Sequence, residues 1–146
     1  MLIIILLGAI MIKSVEFDTS HDSNSLSTIL SDPDFVLPRL FPPIKQVTKS
    51  GTSFDARGRF MGMKFNIHGN VLKGTEIIYA FHLGAGGGEG EGRLTIRLLP
   101  GKVALRFEYE GWMERVSGIF FMQRWFENFG KSLEEEVRME RIKRKL

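Results

Sequence analysis

The chain of 146 residues contains no cysteine. Disulfides, a thiolate nucleophile and a thiolate metal site are therefore excluded. Glutamine occurs only at Gln46 and Gln123; with cysteine absent, this leans toward a thermophilic source. The histidines are His21, His68 and His82. None stands at a spacing such as HxxxH, so no metal site is expected, although His68 and His82 could meet across strands. No GxSxG, HExxH or Ser/His/Asp order is present, and no cofactor is expected. Long apolar runs are scarce too. The longest, Met1 to Ile12 (MLIIILLGAIMI), falls short of the roughly 20 residues that span a bilayer. It also lacks the cationic start and small-residue cleavage site of a signal peptide. Residues 1–11 read as an apolar N-terminal extension, either from an upstream start site or as an extra strand, rather than as a membrane anchor. Met11 offers an alternative start. The net charge of +3 is small. Its one concentration, Arg138, Arg141, Lys143, Arg144 and Lys145, suits a helix C-terminus, where the macrodipole favours cations. No nucleic acid is expected as a partner, and at most transient membrane contact. A cytoplasmic location follows.

What is present is a globular composition, 43% hydrophobic and 25% charged, long enough for a single domain over residues 12–146. Residues 12–17 alternate as a first strand. Helices are predicted over about 22–30 and 33–40, the second starting at Pro33, ended by Pro42-Pro43 and made irregular by Pro38. Six antiparallel strands follow, at about 44–49, 53–61, 64–72, 76–83, 93–99 and 103–110, with turn chemistry at Ser50-Gly51, Met61-Gly62, Lys73-Gly74 and Pro100-Gly101. Each later strand has one apolar and one polar face, as in a sheet covered on one side. The remaining element, a proline-free helix from Trp112 to about Lys145, is the only one large enough to cover that sheet. It carries Trp112, Phe120, Phe121, Trp125, Phe126 and Phe129, and reads as apolar nearly all round from Gly118 to Phe129. A helix that only closes a core needs one apolar stripe; this one is expected to face a cavity or a second partner as well.

The fold class is α+β: strand, two short helices, six-strand antiparallel sheet, long C-terminal helix. That order resembles the helix-grip fold of the START and plant-allergen-like lipid-binding superfamily. More narrowly, the segment VEFDTSHDSNSLSTILSDPDFVLPRLFPP together with the aromatic helix is similar to a small START-like family of thermoacidophilic archaea regarded as fatty-acid carriers. The resemblance implies a sheet curled around the last helix, an apolar cavity between them, and the two short helices closing one end.

The side chains expected to line that cavity are Phe35 and Leu40 from the second helix, and Ile119, Phe120, Met122, Gln123 and Phe126 from the last. The strands supply Phe54, Phe60, Phe65, Ile67, Ile77, Tyr79, Phe81, Ile96, Leu105, Phe107 and Tyr109. Tyr79, Tyr109, Gln123, Gln46 and Thr48 read as inward polar groups that either satisfy one another or hold a ligand head group; Arg39 could reach one from the helix end. Gly84 to Gly92, unlike a phosphate loop, is followed by a strand and carries two glutamates; a long flexible hairpin loop is expected, or a mobile lid. Glu134, Glu135 and Glu136 read as a solvated face. The function expected is a non-enzymatic carrier of a fatty acid or similar apolar small molecule. The alternatives are an interaction module whose aromatic helix face forms a dimer interface, and a cyclase-like or hydrolase-like enzyme, which a one-residue register slip bringing His68 and His82 inward would favour. The oligomeric state is left open.

Overall fold

The computed structural model describes residues 2–5, 8–86, 88–111 and 116–146, with side chains from residues 11–86, 88–111 and 121–146. In chain order the elements are β1 (Leu2–Ile5), β2 (Gly8–Asp18), α1 (Ser23–Leu30), α2 (Pro33–Leu40), β3 (Ile44–Ser50), β4 (Ser53–Phe60), β5 (Met63–Lys73), β6 (Ile77–Ala85), β7 (Gly88–Leu99), β8 (Lys102–Gly111) and α3 (Val116–Arg144). The expected helix start at Trp112 lies outside the described residues. Pro38 sits inside α2 without ending it.

The predicted meander from β3 to β8 is present, but it is part of a larger sheet. Eight antiparallel strands run in the order β1-β2-β8-β7-β6-β5-β4-β3. The N-terminal strand is longer than expected and lies beside β8 from Ala9↔Gly111 to Asp18↔Lys102. The apolar N-terminus thus adds one strand, β1, and lengthens the expected first strand into β2.

Alternation fixes which side is inside. Ile77, Tyr79, Phe81 and Leu83 of β6 are buried, and so are Val103, Leu105, Phe107 and Tyr109 of β8, while the residues between them are not. The paired rows carry this across the sheet: Phe107 opposes Leu94, which opposes Tyr79, which opposes Val71. His68 and His82 pair in register on the outer face, with ring centroids 5.3 Å apart. The register slip that would have turned them inward does not occur.

The inner face takes α3. Met122, Phe126, Phe129, Leu133 and Val137 are buried at helical spacing and form one stripe. Phe121 and Trp125 flank it half-buried, and Arg124 and Asn128 are exposed. Over residues 121–129 the helix is therefore not apolar all round, and Phe126 and Phe129 are spent on the chain's own sheet.

In the acidic run of α3, Glu135 stays on a solvated face, paired with Arg138 one turn on, but Glu134 and Glu136 form a latch. Glu134 accepts from Thr19 Oγ1 at 2.7 Å and from Ser20 N–H at 2.8 Å. Glu136 accepts from Arg39 Nε at 3.0 Å. The basic end of α3 likewise does more than answer the helix dipole. Arg141 lies 3.2 Å from Asp22 and Arg144 2.7 Å from Asp32. These two aspartates are the N-caps of α1 and α2, accepting from Ser25 N–H and Asp34 N–H. One end of α3 thus holds both short helices by their first turns.

The glycine-rich segment is not a long loop. Ala85 pairs with Gly88, and strand β7 runs straight through Gly88, Gly90 and Gly92. The reason is side-chain volume on neighbouring strands. A Cβ on Gly90 would lie 1.9 Å from the Tyr109 hydroxyl, and one on Gly92 2.2 Å from the Phe81 ring. Glycine here clears the space that two large rings occupy. Gly92→Ala is accordingly expected to destabilise the fold by about 1–3 kcal/mol through overpacking, read from the midpoint and slope of urea denaturation.

At the β4–β5 turn, Met61 has φ +52° and Gly62 φ +79°. Two consecutive positive φ values make a type I′ turn, for which Asn and Gly are the favoured residues. A methionine in the left-handed region costs on the order of 1 kcal/mol.

Candidate ligand-binding site

The space between sheet and α3 is a continuous aromatic assembly. Phe107 is its centre. Its ring stacks on Phe81 (centroids 6.1 Å, planes 19° apart) and on Phe126 of α3 (5.6 Å, 19°). Phe41, just past α2, meets Phe81 edge-on at 5.6 Å and also reaches Phe107 and Trp125. A second cluster lies toward the β4–β5 turn, where Phe60 packs edge-on against Phe121 at 5.0 Å and Trp125 at 5.1 Å. Phe54 and Tyr79 pair at 5.9 Å.

Of the side chains expected inside, Phe35, Leu40, Phe54, Ile67, Ile77, Tyr79, Phe81, Ile96, Leu105, Phe107, Tyr109, Met122 and Phe126 are buried in one core. Phe60, Phe65 and Gln123 are half-buried. Ile119 and Phe120 belong to α3 by their backbone; their side chains lie outside those described. Phe41 was missed. It lies between the predicted helix over 33–40 and Pro42-Pro43, and it bridges α2 to three aromatic neighbours. Its signal was a large ring next to a forced break, a place where the chain must turn inward.

The exposure of these residues is graded. In the β8-β7-β6-β5-β4 rows through Phe107 and Tyr109 nearly everything inward is buried. At the end formed by the β4–β5 and β6–β7 turns, Phe60, Phe65, Ala85, Phe121 and Trp125 are only partly covered. The aromatic interior reaches solvent there.

Polar groups inside are few, and the structure separates them. The Tyr79 hydroxyl donates to Leu30 O, the C-terminal carbonyl of α1, at 2.7 Å. Burial, with the charge of Asp32 added, holds its pKa above the ordinary phenol range. It is a structural pin. Gln46 and Thr48 are exposed. The β3–β4 register shifts between Ile44 and Gln46, and this irregularity turns Val47 inward instead. Arg39 is also occupied: besides Glu136 it donates to Phe35 O at 3.0 Å and lies 4.0 Å over the Phe35 ring.

Tyr109 is different. It is 1% exposed. Its hydroxyl is one of two buried side-chain polar atoms without a partner among the described residues, the other being Arg141 Nε. Burial alone pushes its pKa up to about 12, so it stays a neutral donor at any ordinary pH. An unpaired buried hydroxyl costs about 1–3 kcal/mol, which makes it a natural site for an incoming acceptor. Among the described residues no group of three His, Asp or Glu is placed to hold a metal ion. No described helix is long and apolar enough to cross a membrane.

Comparison with known proteins agrees with this geometry. No curated protein matches the sequence. A protein of undescribed function from Sulfolobus tokodaii superposes with a TM-score of 0.70 at 27% identity, over 92% of this chain and 99% of its own. A START superfamily protein from Mycobacterium smegmatis superposes with a TM-score of 0.61 at 17% identity, over 89% and 97%. Truncated norcoclaurine synthase from Thalictrum flavum gives 0.50 at 12%, over 75% and 79%. At those last two identities the likeness is of fold. A family model matches residues 11–146, nearly the whole chain. The chain belongs to that family, and its fold is the START-like helix-grip fold.

Proposed function

We propose that the protein is a non-enzymatic carrier of a fatty acid or a similar single-chain amphiphile. The chain lies between the sheet and α3, and the head group accepts a hydrogen bond from Tyr109. The observation that carries this reading is the Tyr109 hydroxyl, buried and unpartnered in an otherwise apolar interior that opens at an aromatic rim. The energetics favour such a ligand. Each CH₂ moved out of water gains about 0.8 kcal/mol, so a dozen gain on the order of 10 kcal/mol before association costs. An unpaired buried carboxylate would cost several kcal/mol. A donor at the head-group position removes that penalty. Entry requires the half-buried rings Phe60, Phe121 and Trp125 to part; they meet edge-on or tilted rather than in a parallel stack.

The absence of chemistry is part of the proposal. General acid–base catalysis needs an inward group that titrates near the working pH. Among the described side chains of the aromatic interior only the two tyrosines titrate, and both are shifted away from neutrality; Glu140, buried further along α3, is bonded to Arg144. The dimer alternative keeps only part of its aromatic face, because Phe126 and Phe129 are buried against the chain's own sheet.

The test is native mass spectrometry of the purified protein with organic extraction, followed by titration of palmitate into wild type and Tyr109→Phe. A lipid adduct is expected. Tyr109→Phe should bind about tenfold or more weakly, the loss of one charge-assisted hydrogen bond, while the ligand-free protein becomes no less stable because an orphan hydroxyl has been removed. Wild type that neither carries nor takes up lipid would overturn the carrier reading. Equal affinity of the variant would overturn the role of Tyr109.

A further inference from the structure

The β4–β5 hairpin ends in a residue that its own turn does not favour. Met61 occupies a type I′ position with positive φ and is 65% exposed, and Met63 beside it is 37% exposed. At this position asparagine would fit the backbone better and suit water better. A strained backbone carrying an exposed apolar side chain points to a use outside the folded chain. The hairpin's next rung is Phe60↔Met63, and Phe60 belongs to the half-buried aromatic rim.

The charges around this tip are gathered on one face and largely without carboxylate partners. Lys45, Arg59 and Lys64 are exposed and make no ion pair among the described residues, and Arg57 meets only Asp55, at 3.2 Å. By contrast Lys49 and Lys102 each sit between two carboxylates. The four cations line an open groove of about 980 Å³ beside the hairpin, in which Glu89 is the one carboxylate-bearing residue. Arg57 pairs in register with Asn66, and Arg59 with Lys64, so these side chains stand on the outer face of the sheet, opposite the apolar interior.

We propose that this end of the molecule docks on an anionic lipid bilayer. Met61 and Met63 enter the boundary between head groups and acyl chains, and the groove cations take the lipid phosphates. Apolar side chains beside a cluster of cations combine the two attractions that hold a protein on an anionic lipid surface. Docking of this kind sets the aromatic rim against the lipid surface. It does not depend on the interior accepting a chain, since it is read from binding to vesicles and not from lipid uptake.

The experiment is co-sedimentation with vesicles of phosphatidylcholine and of equimolar phosphatidylcholine and phosphatidylglycerol, at low and high salt. Binding to the anionic vesicles is expected to be at least about tenfold tighter and to weaken with salt. The triple variant Lys45→Glu, Arg59→Glu, Lys64→Glu should lose on the order of a hundredfold. Met61→Asn separates the tip's two properties: it should raise the melting temperature, because the turn is relieved, and reduce vesicle binding several-fold. Met139→Asp, at an exposed position on α3, should bind as wild type does. Equal binding to both vesicle types, or a Met61→Asn protein that binds undiminished, would overturn the proposal. So would a concentration-dependent dimer that Met61→Asn abolishes, which would assign the tip to a second copy, or tighter binding to a short DNA duplex than to the vesicles.

Discussion

Phe107→Ala is expected to lower the stability of the ligand-free protein by about 3–5 kcal/mol, at the upper end for loss of a buried aromatic ring. The ring is 1% exposed and touches Phe41, Phe81 and Phe126. It therefore joins α2, β6 and α3 through one side chain. Its neighbours cannot close the gap easily, because each is held from another direction: Phe81 lies over Gly92, and Phe41 is fixed by the turn at Pro42-Pro43. Urea denaturation with an unchanged slope reports the loss. The carrier proposal adds a second expectation. A long-chain fatty acid that occupies the vacated space should restore part of the stability, by about 2.7 kcal/mol at a hundredfold excess over Kd. A loss below about 1 kcal/mol would mean that this stack is not the centre of the core.

Asp32→Ala is expected to cost about 2–3 kcal/mol, from one cap and from charged groups left without their partner. The Asp32 side chain is 15% exposed. It caps α2, accepts from Lys49 of β3 at 2.8 Å, and accepts from Arg144 of α3 at 2.7 Å. Burial raises its pKa, but the hydrogen bonds from Lys49, Arg144 and Asp34 N–H outweigh it, and the net shift is below the ordinary 3.8. A carboxyl whose pKa is lower folded than unfolded adds stability above the unfolded value and loses it as pH falls through the folded one. The gap between wild type and Asp32→Ala should therefore be full at neutral pH and narrow below about pH 3.8. Denaturation midpoints of the two proteins across that range measure it. A gap that stays constant with pH would show that the cap geometry, not the charge, is what Asp32 contributes.

Much of the architecture can be read from the chain because strand alternation and turn chemistry are local. The inward sets Ile77-Tyr79-Phe81-Leu83 and Val103-Leu105-Phe107-Tyr109 follow from period two alone. Departures arise where a distant residue decides. Gly90 and Gly92 look like freedom in one dimension; in three they are clearances for Tyr109 and Phe81, which stand far away in sequence. The pairing of β2 with β8 needs the topology, not the pattern of either strand. Gln46 and Thr48 turn outward because of one irregularity in β3, and a single such shift leaves no mark in composition. The acidic run of α3 has the same look whether it meets water or, as here, the β2–α1 connection. For the site, alternation supplies the apolar lining, but the contrast between Tyr79 and Tyr109 is not written in either strand. It depends on whether the end of α1 passes within reach of the hydroxyl.

Because β2 lies beside β8, and Lys13 of β2 bonds Glu127 of α3 across 114 positions, the fold is closed by its latest-made parts. A pairing across so long a stretch of chain forms late, because its loop-closure entropy is met before its contacts reward it. During synthesis β2 must wait, with its long flank unpaired, until β8 has been made. The strands between emerge first, with their ring-bearing face bare until α3 arrives to cover it. That interval is when the polypeptide is most prone to stick to its neighbours, and its length is set by the distance along the chain rather than by the strength of any contact.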